Sequence, residues 1–200
     1  MDVYHYSQFP TTHSVIRIAL YTKVGNAASL RERIIKAATL TGAEGDRERD
    51  AINFAFIDAR LITSLLHLKT AVYQATLSAS QDSLRTKTVH SEILWALNPS
   101  NNISEAIRRY GVSDTSATLF VVRIGPPELA DVESKMSAVV SGTLSPFSDL
   151  DGITDWAAVK KYNKLNGEIA VKEAAGDTDR EHGVVDNIVT SAVAMKSVMA

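Results

Sequence analysis

Cysteine is absent, which excludes disulfides, thiol nucleophiles and thiolate metal sites together. Glycine numbers only ten and is scattered, and no Gly-rich phosphate cradle of the P-loop or dinucleotide type occurs. The histidines are His5, His13, His67, His90 and His182. They fall in no HxxxH or HxH arrangement, so spacing gives zinc ligation no support. No GxSxG elbow is present. These absences argue against an enzyme, and no cofactor or metal is expected. A basic excess is missing too, with net charge -2 and a pI near 6.2. A free-standing nucleic-acid binder usually carries one, because neutralising phosphates supplies most of its affinity. Any contact with nucleic acid is therefore expected to use a local patch or a partner's help. No apolar run approaches the roughly 20 residues that span a bilayer. Met1 to Pro10 shows no basic start followed by an apolar stretch, so no secretory signal is read there. The expectation is a soluble intracellular protein with no membrane partner. On that reading the sequon Asn102-Ile103-Ser104 is chance. No internal repeat is visible.

What is present suits one domain. At 200 residues and 45% hydrophobic content the chain can bury a sizeable core. Val15 to Tyr21 reads as a strand, with Ile16, Ile18 and Leu20 alternating. Asn26 can cap a helix running to Leu40, with Leu30, Ile34 and Ala37 or Ala38 on one face. The polar run at 41–50 has no apolar period and reads as a flexible loop. Asn53 to Asp58 reads as a buried strand. Ser64 to Ser80 reads as a helix that stacks Leu61, Leu65, Leu68, Val72, Ala75 and Ala79 on one side.

Glu92 to Leu97 is apolar and short, so period alone cannot decide its type. Its abrupt stop at Asn98-Pro99-Ser100 favours a strand. Asn102 with Glu105 three positions on resembles a capping box, and Gly111 suits a left-handed helix end. Leu119 to Ile124 is the clearest strand. Pro126-Pro127 ends it and opens a helix with Leu129, Val132, Met136, Val139 and Val140 inward, closed by Gly142. Thr154 can cap the next, burying Trp156, Val159, Tyr162 and Leu165.

Residues 172–183 read as a polar tether, and 184–200 return to helical period. The expected fold class is therefore α/β, a mixed α+β sandwich in one domain. Its central mixed or antiparallel sheet should hold about four or five strands flanked by helices. Residues 1–171 form the body, and a C-terminal helix is held on the tether as part of the same fold. Val185, Ile188, Val189, Ala192, Met195 and Val198 give that last helix a wide apolar stripe. It folds back on its own sheet or docks into a partner groove through i, i+4, i+7 anchors.

Basic residues offer few sites. If the segment Arg85 to His90 is extended, Arg85 and Lys87 share one face and the hydroxyls of Thr86 and Thr88 the other. Such a set can hold a phosphate backbone, although small charge clusters are usually solvated surface. Arg108 and Arg109 near a helix end compensate its dipole. Lys160, Lys161 and Lys164 make an ordinary wet face. Trp95, Trp156 and the phenylalanines fit a core better than base stacking.

Three segments carry a resemblance. They are Phe54 to Ile62 (FAFIDARLI) with Ser64, then Ser91 to Leu94 through Asn98 to Ile107 (NPSNNISEAI), and Thr154-Asp155-Trp156 through Lys161 to Asn166 (KYNKLN). With Arg109-Tyr110-Gly111-Val112 and LFVVRI between them, this ordered set resembles the PRPK-binding protein family (TPRKB in animals), from about Ile16 to the C-terminus. The resemblance implies a non-catalytic subunit of the EKC/KEOPS complex. That complex places threonylcarbamoyl on the adenosine beside the tRNA anticodon. It further implies binding to the complex's kinase/ATPase subunit, a link to the threonylcarbamoyl transferase subunit through the complex, and capture of the single-stranded tRNA 3′ CCA end. Residence in nucleus and cytoplasm, and a telomere association, come with the same resemblance.

Carried onto this chain, the kinase interface falls on Val185, Ile188, Val189, Ala192 and Met195. The tRNA-binding candidates are Arg60, Arg85, Lys87 and Arg109. A grip on one RNA end suits a near-neutral chain, since stacking supplies roughly 1–3 kcal/mol per base. A self-associating scaffold without RNA binding and a small-metabolite enzyme are the alternatives.

Overall fold

A computed structural model describes residues 1–199. Five strands form an antiparallel open sheet. They are β1 (Asp2–His5), β2 (Val15–Thr22), β3 (Ala55–Asp58), β4 (Leu119–Gly125) and β5 (Thr143–Ser145). The order is β1-β2-β4-β3, and β5 pairs with the end of β2 next to the stretch that β1 covers. The β2–β4 register sets Ile18 against Val122 and Tyr21 against Leu119.

Helices cover both faces, which is why β2 and β4 are apolar almost without break. One face carries Ile16, Ile18, Leu20, Ile57, Phe120, Val122 and Ile124. Against it lie α3 (Leu65–Ser80), α4 (Val89–Leu97), α5 (Ile103–Tyr110), α7 (Trp156–Tyr162), α8 (Ile169–Ala174) and α9 (Thr178–Ala194). The other face carries Ala19, Tyr21, Phe56, Leu119 and Val121 under α1 (Ala27–Thr39) and α6 (Val132–Val139). Burying an Ile, Leu or Phe side chain in such layers contributes about 1.5–3 kcal/mol. A short α2 (Gly42–Ala51) follows α1, and α10 (Lys196–Met199) ends the described chain. Among the described residues no helix is long and apolar enough to cross a membrane.

The strands over 15–22, 55–58 and 119–125 and the helices α1 and α3 agree with the sequence reading. Several expectations do not survive. Residues 41–50 are not a loop but most of α2. That helix lacks an apolar stripe because charge holds it. Glu48 pairs with Arg33, and Arg49 donates to Asp46 at 2.7 Å and to the carbonyls of Leu40 at 2.7 Å and Ala37 at 3.0 Å.

Glu92 to Leu97 is not a strand but part of α4, a helix buried nearly all round, which erases the amphipathic signal. Thr88 caps it in a reciprocal box with Ser91. The supposed tether at 172–183 is the end of α8 followed by α9, which starts at Thr178 with Asp177 accepting from the Arg180 N–H. Its polar start is fastened to α7. The rings of Trp156 and His182 stack at 3.8 Å, and Lys160 pairs with Glu181.

Capping details shift as well. Asp155, not Thr154, caps α7, and the Thr154 hydroxyl donates to the Ile62 carbonyl at 2.7 Å. The helix after Pro126-Pro127 begins only at Val132. Gly111 is not left-handed, with φ of -76°. A Cβ there would lie well inside van der Waals contact of the Ile107 carbonyl oxygen, so close approach is what glycine permits.

Candidate partner-binding and RNA-binding surfaces

The stripe on α9 divides in two. Val185, Val189 and Val193 are buried in the same core as α3 and the sheet, and Ile188 packs partly against it. This corrects the expectation for Val185, which is sealed in the core while α9 is seated, and leaves Val189 only an edge toward the cleft at the end of the helix. The helix folds back because its apolar positions at steps of four meet α3, whose Gln74 Nε2 donates to the Ala194 carbonyl at 2.8 Å. Outward lie Ala192, which is exposed, Met195 at 49% exposure and Val198 at 75%.

Lys196 breaks the outward pattern. It continues the buried seam three residues after Val193 and is only 7% exposed. Its Nζ donates to the carbonyls of Asn98 at 2.8 Å and Ser100 at 2.9 Å, 4.7 Å from the Trp95 ring centroid. Burial lowers its pKa below the ordinary lysine value. Its partners belong to the loop that the Asn98-Pro99-Ser100 stop creates. Asn98 is buried, and its Nδ2 donates to the Ser100 carbonyl and hydroxyl, each at 2.9 Å. Its Oδ1 has no partner among the described residues. Between this loop and the end of α9 lies a cleft of about 320 Å³, walled by Leu97, Pro99, Asn163, Val189, Ala192 and Lys196.

Two of the four basic RNA candidates are already engaged. Arg60 grips Asp58 with both edges, Nε to Oδ1 at 3.0 Å and Nη2 to Oδ2 at 2.7 Å. Asp58 also accepts the Ser116 hydroxyl at 2.8 Å. The Asp58 hydrogen bond and charge raise the Arg60 pKa. Arg109 pairs with Glu105 at 2.5 Å and stacks on Tyr162 at 4.5 Å, leaving its Nε buried without a partner among the described residues. The Ser100 hydroxyl donates to Glu105 at 2.6 Å and, with Arg109 and Arg108, holds that carboxyl below its ordinary value. Glu105 thus does not close the capping box, although Asn102 Oδ1 accepts its N–H at 3.0 Å. Arg109 alone of the four candidates stacks on an aromatic ring, that of Tyr162.

Arg85 and Lys87 are exposed and lie at the other end of α4, about 13 Å of helix away from the Asn98 loop. The Thr86 hydroxyl between them turns inward. Thr86 Oγ1 donates to the buried Glu92 carboxylate at 2.6 Å, and the N–H groups of Thr86 and Arg85 donate to it at 2.8 and 3.1 Å. Thr88 is spent on its cap. Those hydroxyls are therefore unavailable to a phosphate, and the two free cations stand alone. His90 is buried, and its Nε2 accepts the Ile124 N–H at 3.0 Å, where β4 has run past the end of β3.

Sequence reasoning missed Lys196, Asn98 and Glu92. Lys196 had a signal, since the steps 185, 189, 193 and 196 place it on the buried side. Among the described residues no cluster of three or more His, Asp or Glu fit to hold a metal occurs.

Comparison with known proteins places these features in a family. A family model described as kinase binding protein CGI-121 matches residues 21–197. A protein of Cryptococcus neoformans var. neoformans serotype D, named EKC/KEOPS complex subunit CGI121, is 34% identical over 234 aligned positions covering 100% of both chains. A protein of the same name from Aspergillus terreus is 33% identical over 90% of each chain. Another from Yarrowia lipolytica is 32% identical over 84% of this chain and 90% of its own. The chain belongs to the CGI-121 family of kinase-binding proteins.

Proposed function

We infer that this chain is a non-catalytic subunit of an EKC/KEOPS complex. In that role it holds the kinase/ATPase subunit directly and reaches the threonylcarbamoyl transferase through the assembly. It works there in nucleus and cytoplasm. The observation that carries the reading is the family match combined with the split of α9, whose inner side completes the core while Ala192, Met195 and Val198 face outward beside the cleft. An apolar, rigidly seated helix end of this kind suits a helix or groove on a partner. Met195 adapts well to such a surface, being flexible and polarisable.

The test is co-purification of the kinase subunit with Met195→Arg and Ala192→Arg, with thermal unfolding recorded for each variant. Binding should weaken about tenfold or more, equal to ~1.4 kcal/mol or more, while the melting temperature holds. Wild-type binding by both variants would move the interface elsewhere on the chain.

In the same role the chain helps recruit tRNA by its 3′ CCA end. The exposed pair Arg85 and Lys87 supports this, as does Arg109 stacked on Tyr162. Binding of full-length and CCA-trimmed tRNA, compared at one salt concentration with and without the kinase subunit, decides it. Equal binding of both RNAs would leave kinase attachment as the whole role.

A further inference from the structure

Arg17 and Arg123 stand directly opposite each other on β2 and β4. Strand alternation sends both to the sheet face of Ala19, Tyr21 and Val121. Arg17 is only 7% exposed. Like charges opposed across a strand pair are destabilising, and buried arginines normally carry an acidic partner. Among the described residues neither arginine has a carboxylate within salt-bridge distance. Their acceptors are carbonyls. Arg17 reaches Pro127 O at 3.2 Å and Pro126 O at 3.4 Å, and Arg123 Nη1 donates to Asn53 O.

Arg123 opens on a second cleft, of about 50 Å³, walled by Phe54, Leu129, Val132, Lys135 and Asp50. Its guanidinium lies 5.8 Å from the Phe54 ring centroid, and Phe54 forms part of the same wall. Asp50 is the one acid of this wall, and its charge reaches Arg123 without a direct ion pair. The wall thus holds two cations, Arg123 and Lys135, to one carboxylate, with Arg17 facing Arg123 across the strand pair. Burial lowers the pKa of Arg17, and burial and the facing Arg17 both act to lower that of Arg123.

We propose that this cleft binds a small phosphate-class oxyanion, with Arg123 and Lys135 as its ligands and Arg17 as the buried charge behind them. The Nε–Nη2 edge of Arg123 donates to no protein acceptor among the described residues. That edge is the forked geometry which matches two oxygens of one phosphate. The cleft has room for a phosphate group but not for a whole nucleotide, so any larger substituent projects into solvent. The ligand is then either free inorganic phosphate or the terminal phosphate of a larger molecule.

The test titrates inorganic phosphate into the full chain, following phosphorus-31 line width and melting temperature against sodium chloride of equal ionic strength. Saturable binding is expected. It should weaken about tenfold or more in Arg123→Gln and about threefold or more in Lys135→Gln, as loss of charge-assisted hydrogen bonds implies. If Arg123→Gln fails to fold, Lys135→Gln decides, since Lys135 is exposed on α6. A 5′-mononucleotide run in parallel separates the sources. Tighter binding than phosphate assigns the site to a larger phosphorylated molecule, and equal or weaker binding assigns it to the free ion. Non-saturable stabilisation, or the same response in wild type and Lys135→Gln, overturns the site and leaves only the general exclusion effect of phosphate.

Discussion

Two histidines make the stability of this protein depend on pH in a calculable way. His67 is enclosed between α3 and α9, where Thr63 Oγ1 lies 3.0 Å from its Nδ1 and donates to Asp186 at 2.6 Å. Its Nδ1 accepts the Thr63 N–H at 3.3 Å, so the proton that makes an imidazolium would face a donor, and Nε2 finds no acceptor among the described residues. His90 accepts the Ile124 N–H, so protonation would set one N–H against another. Burial, opposed by Asp186, pulls His67 down to about 4. Burial, with the nearby charges of Arg123 and His13, pulls His90 down to about 3.

Above the ordinary histidine value near 6.5 both rings are neutral in folded and unfolded chains alike. As pH falls below it, the unfolded chain takes up two protons that the folded chain refuses, so stability is lost toward acid. Each histidine approaches about 1.4 kcal/mol per pH unit, and together they remove about 4 kcal/mol between pH 7 and pH 5. That is a large share of a typical total of about 5–15 kcal/mol. His13, lowered by partial burial, adds to the loss. The lowered carboxyls of Glu48 and Glu105 act only further toward acid, which keeps this window clear. Urea unfolding at half-unit pH steps measures the slope. A loss under about 1 kcal/mol across that window would refute the reasoning, as would an unchanged slope in the double variant His67→Gln/His90→Gln.

Other perturbations have equally definite outcomes. Glu92→Gln removes the charge and replaces one of the two oxygens that accept from the Arg85 and Thr86 N–H groups and the Thr86 hydroxyl with a donor, costing about 2–3 kcal/mol and speeding tryptic cleavage after Arg85 and Lys87. Val189→Ala costs about 1–3 kcal/mol in urea unfolding because the cavity lies in the core, whereas Met195→Ala stays within about 0.5 kcal/mol. Lys196→Met takes the lysine donor from the Asn98 and Ser100 carbonyls and leaves the latter with Asn98 Nδ2 alone. A loss of about 1–3 kcal/mol and faster amide exchange in the Asn98 loop are expected.

The strands were legible because β-branched runs bounded by polar residues have few other readings. What stayed hidden was structure whose cause lies elsewhere in the chain. EILWAL is helical because α3, α5 and the sheet surround it, and a helix buried on all sides shows no stripe. The run at 42–51 is helical because Arg33, Ala37 and Leu40 hold its charges. Neither residue type nor a family resemblance says whether an arginine is already occupied. Yet Asp58 two residues before Arg60 and Glu105 four before Arg109 were visible, and the second is a standard helical pair. For the last helix the period disclosed a buried stripe but not what would bury it.

That last ambiguity resolves into a division of labour along α9. Val185, Val189 and Val193 fix the helix to α3 and the sheet, and Lys196 pins its end to the Asn98 loop through two carbonyls. A helix end fastened this way loses little further freedom when a partner arrives, so the ordering cost of binding is already met by folding. The apolar residues left outside, Ala192, Met195 and Val198, are then presented in one fixed geometry beside a cleft. Substitutions inside the seam should lower partner binding only in step with stability. Substitutions outside it should lower binding alone, and that difference separates a docking surface from a piece of core.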